Sequence, residues 1–150
     1  MMNNYLSGLL RWLCLSALVL ALSPAMAGIV IVAHPNVHKL DQPTVQRVFT
    51  GKVIEVGGVT VSPVNLRVGQ PLRSRFLSDY LQQTDDAYVA YWTVRRYVGK
   101  GAPPKEVGSA SDVVMHVLHN AGAIGYMEES DVPPGVNIVA RGAKAGGAAP

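Results

Sequence analysis

The chain has 150 residues, with 13 Lys and Arg against 10 Asp and Glu and a single cysteine, Cys14. Charge this close to balance lacks the dense basic face of a general nucleic-acid binder, and one cysteine excludes an internal disulfide. The length suits one domain with one core rather than two.

The first stretch reads as an export signal. Arg11 precedes an apolar run from Trp12 to Leu22, Ser23-Pro24 breaks that run, and Ala25-Met26-Ala27 supplies a small-x-small cleavage pattern. The run falls short of the ~20 apolar residues that span a bilayer, and no small-residue lipid-attachment pattern precedes Cys14. The expected organisation is a signal over residues 1–27, a domain over 28–141 and a disordered Gly/Ala-rich tail over 142–150. Removing 27 of the 150 residues leaves 123. Loss of Arg11 takes the cations from 13 to 12 against an unchanged 10 acids, and Cys14 leaves with the same segment. The expected product is a periplasmic, cysteine-free protein with no membrane span.

Gly28 to Ala33 (GIVIVA) is a β-branched run expected to form a buried strand. Asp41 is placed to cap a helix reaching Phe49, with Pro43 tolerated in its first turn and Gly51 ending it. A second strand fits Val59 to Leu66. Leu72, Phe76, Leu77, Tyr80 and Leu81 repeat with a helical period and predict a helix from Pro71 to Gln82. Thr84-Asp85-Asp86 starts a third helix that runs to about Val98, the acids suiting the positive end of the helix dipole. Gly99-Lys100-Gly101 and Pro103-Pro104 read as a loop. A fourth helix begins at Ser109 or Ser111 and ends near Asn120, with Gly122 as its C-cap. Short strands then fit Ala123 to Tyr126 and Val136 to Ala140. Strands alternating with helices predict an α/β domain, a sheet of mixed or parallel strands with helices on its faces.

Several side-chain groupings admit two readings. His116 and His119 share a helix face one turn after Asp112, compatible with a partial metal site or with a polar face on which Asp112 accepts from His116. His34 and His38 are four apart, but Pro35 and Asn36 between them suggest a turn, and metal binding at any of the four histidines is left open. Tyr88, Tyr91 and Trp92, at i, i+3 and i+4, read as a core stripe, the alternative being a ligand-stacking surface. Asp85-Asp86 and Glu128-Glu129 sit where helix-start and loop acids are common. No nucleophile–base pattern, zinc-protease motif or phosphate loop occurs. The expectation is therefore a non-enzyme without cofactor or metal.

Three segments occur in an informative order. Val45-Gln46-Arg47-Val48-Phe49-Thr50-Gly51-Lys52 is followed by Arg67-Val68-Gly69-Gln70-Pro71-Leu72-Arg73-Ser74-Arg75-Phe76. Gly99-Lys100-Gly101 then precedes the helix leading into Gly122-Ala123-Ile124-Gly125-Tyr126. Together they resemble the phosphate-binding proteins that serve bacterial phosphate ABC importers, over roughly Ile29 to Met127. The resemblance implies a single three-layer lobe, like one lobe of a type II periplasmic binding protein. It also implies a solute-binding role toward phosphate or a similar anion, with an ABC transporter or another envelope protein as partner. Family members are about twice this size, and their Ser-Gly-Thr stands here as Pro71-Leu72-Arg73.

Arg67 matches the family's arginine. A helix start offers unpaired N–H groups and a positive dipole end, so Leu72 and Arg73 could each present an N–H to the anion that Arg67 grips with its guanidinium fork. Arg73 or Arg75 could add a second charge. The expected ligand site is thus Arg67, Leu72 and Arg73, against a Pro-started helix with solvated arginines. A single open lobe implies weak, salt-sensitive binding. The other reading is a lobe of the same ancestry that has lost its ligand and binds protein instead.

Overall fold

The structure, a computed structural model, describes residues 28–142. The expected export signal lies outside the described residues, as do residues 143–150 of the expected tail.

A five-stranded sheet organises the domain, in the order β5-β4-β6-β1-β7. Strand β1 (Ile29–Ala33) is buried at all five positions, as its unbroken Ile/Val run demands of a strand covered on both faces. It pairs antiparallel with β6 (Ala123–Glu128) on one side and with β7 (Asn137–Arg141) on the other. On the far side of β6 the direction changes. Strand β4 (Ser62–Leu66) runs parallel to β6 and to the edge strand β5 (Lys105–Val107). The sheet is therefore mixed.

Helices cover both faces. Successive residues of β6 point to opposite sides of the sheet. A Cβ on Gly125 would stand 2.5 Å from Val113 Cγ1, so α4 (Ala110–His119) lies against that face with no room to spare. Tyr126 points the other way and stacks on Phe76 of α2 (Pro71–Phe76), ring centroids 3.9 Å apart, with Phe49 of α1 (Gln42–Phe49) at 6.0 Å. Beyond these lies α3 (Asp85–Tyr97), whose buried Tyr88 and Trp92 face inward while Tyr91 is half-buried. Helix–sheet–helix layering of one α/β lobe results.

The helix starts follow their caps. Asp41, Thr84 and Ser109 each accept from the backbone N–H three residues on. Elsewhere tertiary structure redraws the expected boundaries. The strand expected over Val59 to Leu66 is split: Glu55–Val56 (β2) and Val59–Thr60 (β3) form a hairpin, and β4 follows. Gly57 and Gly58 both take positive φ, 56° and 81°, the turn that matches strand twist in a two-residue loop. The helix expected from Pro71 to Gln82 changes pitch at Leu77–Leu81, a π-helical turn, and ends where Gln82 adopts φ 55°. Gly122 does not cap α4; Asn120 ends that helix in an extended conformation. Gly122 instead turns with φ +76°, where a Cβ would lie 2.0 Å from the Thr60 carbonyl oxygen. Strand β5 falls just after the Pro103-Pro104 loop, too short at three residues to show a period. Gly142, the first residue of the expected tail, still donates its N–H to the Ile29 carbonyl at 3.3 Å.

Candidate functional site

Two strand ends meet two helix starts on one rim of the sheet. Strand β4 ends at Leu66 and α2 begins at Pro71; beside it β5 ends at Val107 and α4 begins at Ala110. Since β4 and β5 are parallel, both turns lie at the same rim, where open α/β sheets place ligand crevices. The turns are tied together: Arg67 N–H donates to the Val107 carbonyl at 3.1 Å, and Gln70 Nε2 donates to the Gly108 carbonyl at 2.8 Å.

Arg67 is exposed on this rim. Its Cζ stands 3.9 Å from the position a Gly108 Cβ would take, a point that Asp112 Oδ2 approaches to 3.2 Å. A cation and a carboxylate thus flank Gly108. The start of α4 is already satisfied, because Ser109 Oγ accepts from the Asp112 N–H and Asp112 Oδ2 accepts from the Gly108 N–H. The start of α2 differs: Gln70 makes no side-chain cap bond and Pro71 brings no N–H. The N–H groups of Leu72 and Arg73 follow, with the Leu72 side chain packed half-buried against the core.

The Arg73 side chain goes inward. It is 2 % exposed, and its Nε donates to Asp85 Oδ1 at 2.5 Å while Nη1 donates to Glu106 Oε1 at 2.8 Å and to the Leu66 carbonyl at 2.7 Å. Two carboxylates neutralise it, so the second charge expected from Arg73 is not turned to the rim. Arg75 pairs with Glu128. The signal for burial was available in the sequence: position 73 precedes Phe76, Leu77 and Tyr80 on the same helical stripe, and an arginine on a core stripe needs buried acids. Asp85 is one of them, besides standing in the first turn of α3, where it also accepts from Ser74 Oγ at 2.8 Å.

Behind Arg73 lies a buried polar relay. Leu66 N–H donates to the Tyr126 hydroxyl at 3.1 Å, so the Tyr126 proton goes to Asn65 Oδ1 in a short contact. That fixes the Asn65 amide, whose Nδ2 is buried without a hydrogen-bond partner. Tyr88 gives its proton to the Phe49 carbonyl at 2.7 Å. Burial pushes the Tyr88 phenol up to about 12, only partly offset by the side chains of Trp92, Arg73 and Asn65. Burial also raises Tyr126. Both phenols stay protonated as donors through the physiological range.

Between α3 and the β4–β5 edge opens a cleft of about 310 Å³. Val68, Val89, Trp92 and Pro104 form its apolar walls, and the Arg73–Glu106 pair and Arg96 also line it. The stripe Tyr88, Tyr91, Trp92 is therefore mainly core, as its spacing predicts, yet Tyr88 and Trp92 also border this cleft.

Three of the histidines make local contacts. His34 Nδ1 lies 2.6 Å from Asn36 Oδ1 within a turn, and His119 Nδ1 lies 2.8 Å from the Met115 carbonyl. Asp112 accepts from Gly108 rather than from His116. Burial first, then the charge of Lys105, lowers the His116 pKa. Among the described residues no three His, Cys, Asp or Glu side chains gather as a metal site.

No family model and no curated protein matches the chain. Its fold matches solved structures. An ABC-type phosphate transport receptor from Vibrio cholerae superposes with TM-score 0.59 at 20 % identity, over 77 % of this chain and 47 % of that one. A phosphate ABC transporter substrate-binding protein with bound phosphate from Clostridium perfringens gives TM-score 0.60 at 19 % identity, over 75 % and 44 %. PstS from Borrelia burgdorferi gives 0.57 at 14 %, over 75 % and 46 %. The chain spans less than half the length of each, and its fold is that of one periplasmic binding protein lobe.

Proposed function

We propose that this protein is a non-catalytic, periplasmic solute-binding lobe for phosphate or a similar inorganic anion, working with an ABC transporter or another envelope protein. The observation that carries the reading is the exposed Arg67 on the β4–β5 rim, in the turn that leads to the uncapped start of α2. There the guanidinium fork and the N–H groups of Leu72 and Arg73 bind the anion. Arg73 contributes through its backbone, since its side chain is neutralised by Asp85 and Glu106. The fold neighbours support the reading, two of them being described as phosphate transport proteins and one of these holding bound phosphate. Binding is weak and falls with salt, because one open rim leaves the anion in water.

A second reading draws support from Asp112, whose carboxylate shares the Gly108 surface with Arg67 and competes with any anion. In it the lobe binds a protein rather than a solute. Calorimetry with phosphate and sulfate at low salt separates the two. The anion reading expects saturable heat that disappears in Arg67→Ala while the thermal melt is unchanged. No heat from the unmodified chain at millimolar anion leaves the protein-binding reading.

A further inference from the structure

The cleft beside α3 is not used by the rim site, and its chemistry differs. An inorganic anion suits exposed N–H groups and an unpaired cation, whereas Val68, Val89, Trp92 and Pro104 wall this cleft with apolar surface. Its volume of about 310 Å³ lies at the lower end of the range for small-molecule sites, and a mostly apolar lining with a few polar groups is their usual composition.

Its polar groups define what would complete it. Arg73 pairs with both Asp85 and Glu106 and so offers no free positive charge to the cleft. Arg96 is exposed on the same lining and makes no ion pair among the described residues. Deeper in, two side-chain donors make no well-formed hydrogen bond. Asn65 Nδ2 and Trp92 Nε1 are buried N–H groups without a partner, and both side chains line the cleft. The Tyr88 hydroxyl gives its proton to the Phe49 carbonyl and turns its oxygen toward both as an acceptor. Both donors are therefore under-satisfied, and under-satisfied buried N–H groups are costly. Arg95 holds Trp92 in place, its guanidinium 5.5 Å over the indole while donating to the Gly51 and Lys100 carbonyls.

We propose that this cleft is a second binding site, for a small carboxylate carried on an aromatic or similarly apolar body. The body packs against Trp92 and the Val68–Val89–Pro104 walls, and the carboxylate pairs with Arg96. An inorganic anion does not compete, because it brings no surface to bury.

Trp92 is the only tryptophan among the described residues and reports on its own cleft. The test titrates the whole chain with phenylacetate, following tryptophan emission with Trp92→Phe as the background, then repeats with uncharged phenylacetamide and with phosphate. The expected result is a saturable change with phenylacetate, about tenfold weaker for phenylacetamide and for Arg96→Gln, as loss of a charge-assisted hydrogen bond predicts. Val89→Phe, which fills the cleft from an exposed helix position without adding a tryptophan, abolishes it, and excess phosphate leaves it unchanged. Arg67→Ala keeps phenylacetate binding, so failure of the rim reading and failure of this one are distinguishable. The absence of a saturable change, displacement by phosphate, or full affinity in both Arg96→Gln and Val89→Phe would overturn the proposal.

Discussion

On the antiparallel side of the sheet, β1 sits between β6 and β7 and all five of its side chains are buried apolar groups. On the parallel side, β4 carries the buried Asn65 and ends at a carbonyl that accepts from the buried Arg73. Beyond its backbone ladders, the side chains of β1 contribute burial, which is non-directional and tolerates small changes of shape. The parallel side is also held by directional bonds between residues far apart in sequence, where losing one partner strands the rest. The candidate rim site and the cleft both lie on the second side. Polar groups placed by such a network are fixed in orientation, which a binding surface requires and an apolar core does not supply.

Three substitutions test this contrast. Arg73→Met has the largest expected effect on stability: removing one member of a buried ion network costs about 3–5 kcal/mol. The loss should fall near the lower end of that range, since Glu106 keeps 45 % of its side chain in water. Urea denaturation at neutral pH measures it. Ile31→Val, at a fully buried position of β1, should cost about 1 kcal/mol in the same assay. A loss at Ile31 equal to or above that at Arg73 breaks the contrast.

The smallest effect is a pH dependence on the parallel side. His116 on α4 has its folded pKa held below the ordinary 6.5 by burial and by Lys105. The unfolded chain then binds the proton more readily, so this contribution is present above 6.5 and is lost as pH falls through the window below it. His116→Gln should flatten thermal stability across that window and leave it unchanged at pH 8. An identical slope in the variant removes His116 as its source.

Much of the fold was legible because its signals are local. The Ile29–Ala33 run reads as a buried strand, and Asp41, Thr84 and Ser109 mark helix starts through bonds to N–H groups three residues away. The aromatic stripe of α3 announces its inner face in the same way. Strand β5 was not legible, since three residues show no period and the strand exists through pairing with β4, some forty positions earlier. Gly122 misled for a similar reason. Its glycine is required by the approach of the Thr60 carbonyl rather than by the helix end before it.

By itself, then, the sequence determined the element types, most helix starts and the α/β class, all of which depend on periodicity and on hydrogen bonds spanning a few residues. Tertiary structure alone decided the mixed strand order, the rim on which Arg67 stands and the carboxylates that meet the inward-turned Arg73. An arginine's destination depends on which carboxylates reach it, and Asp85 and Glu106 lie 12 and 33 residues away. Such partners are brought together by packing of the sheet and α3, and no local pattern along the chain records them.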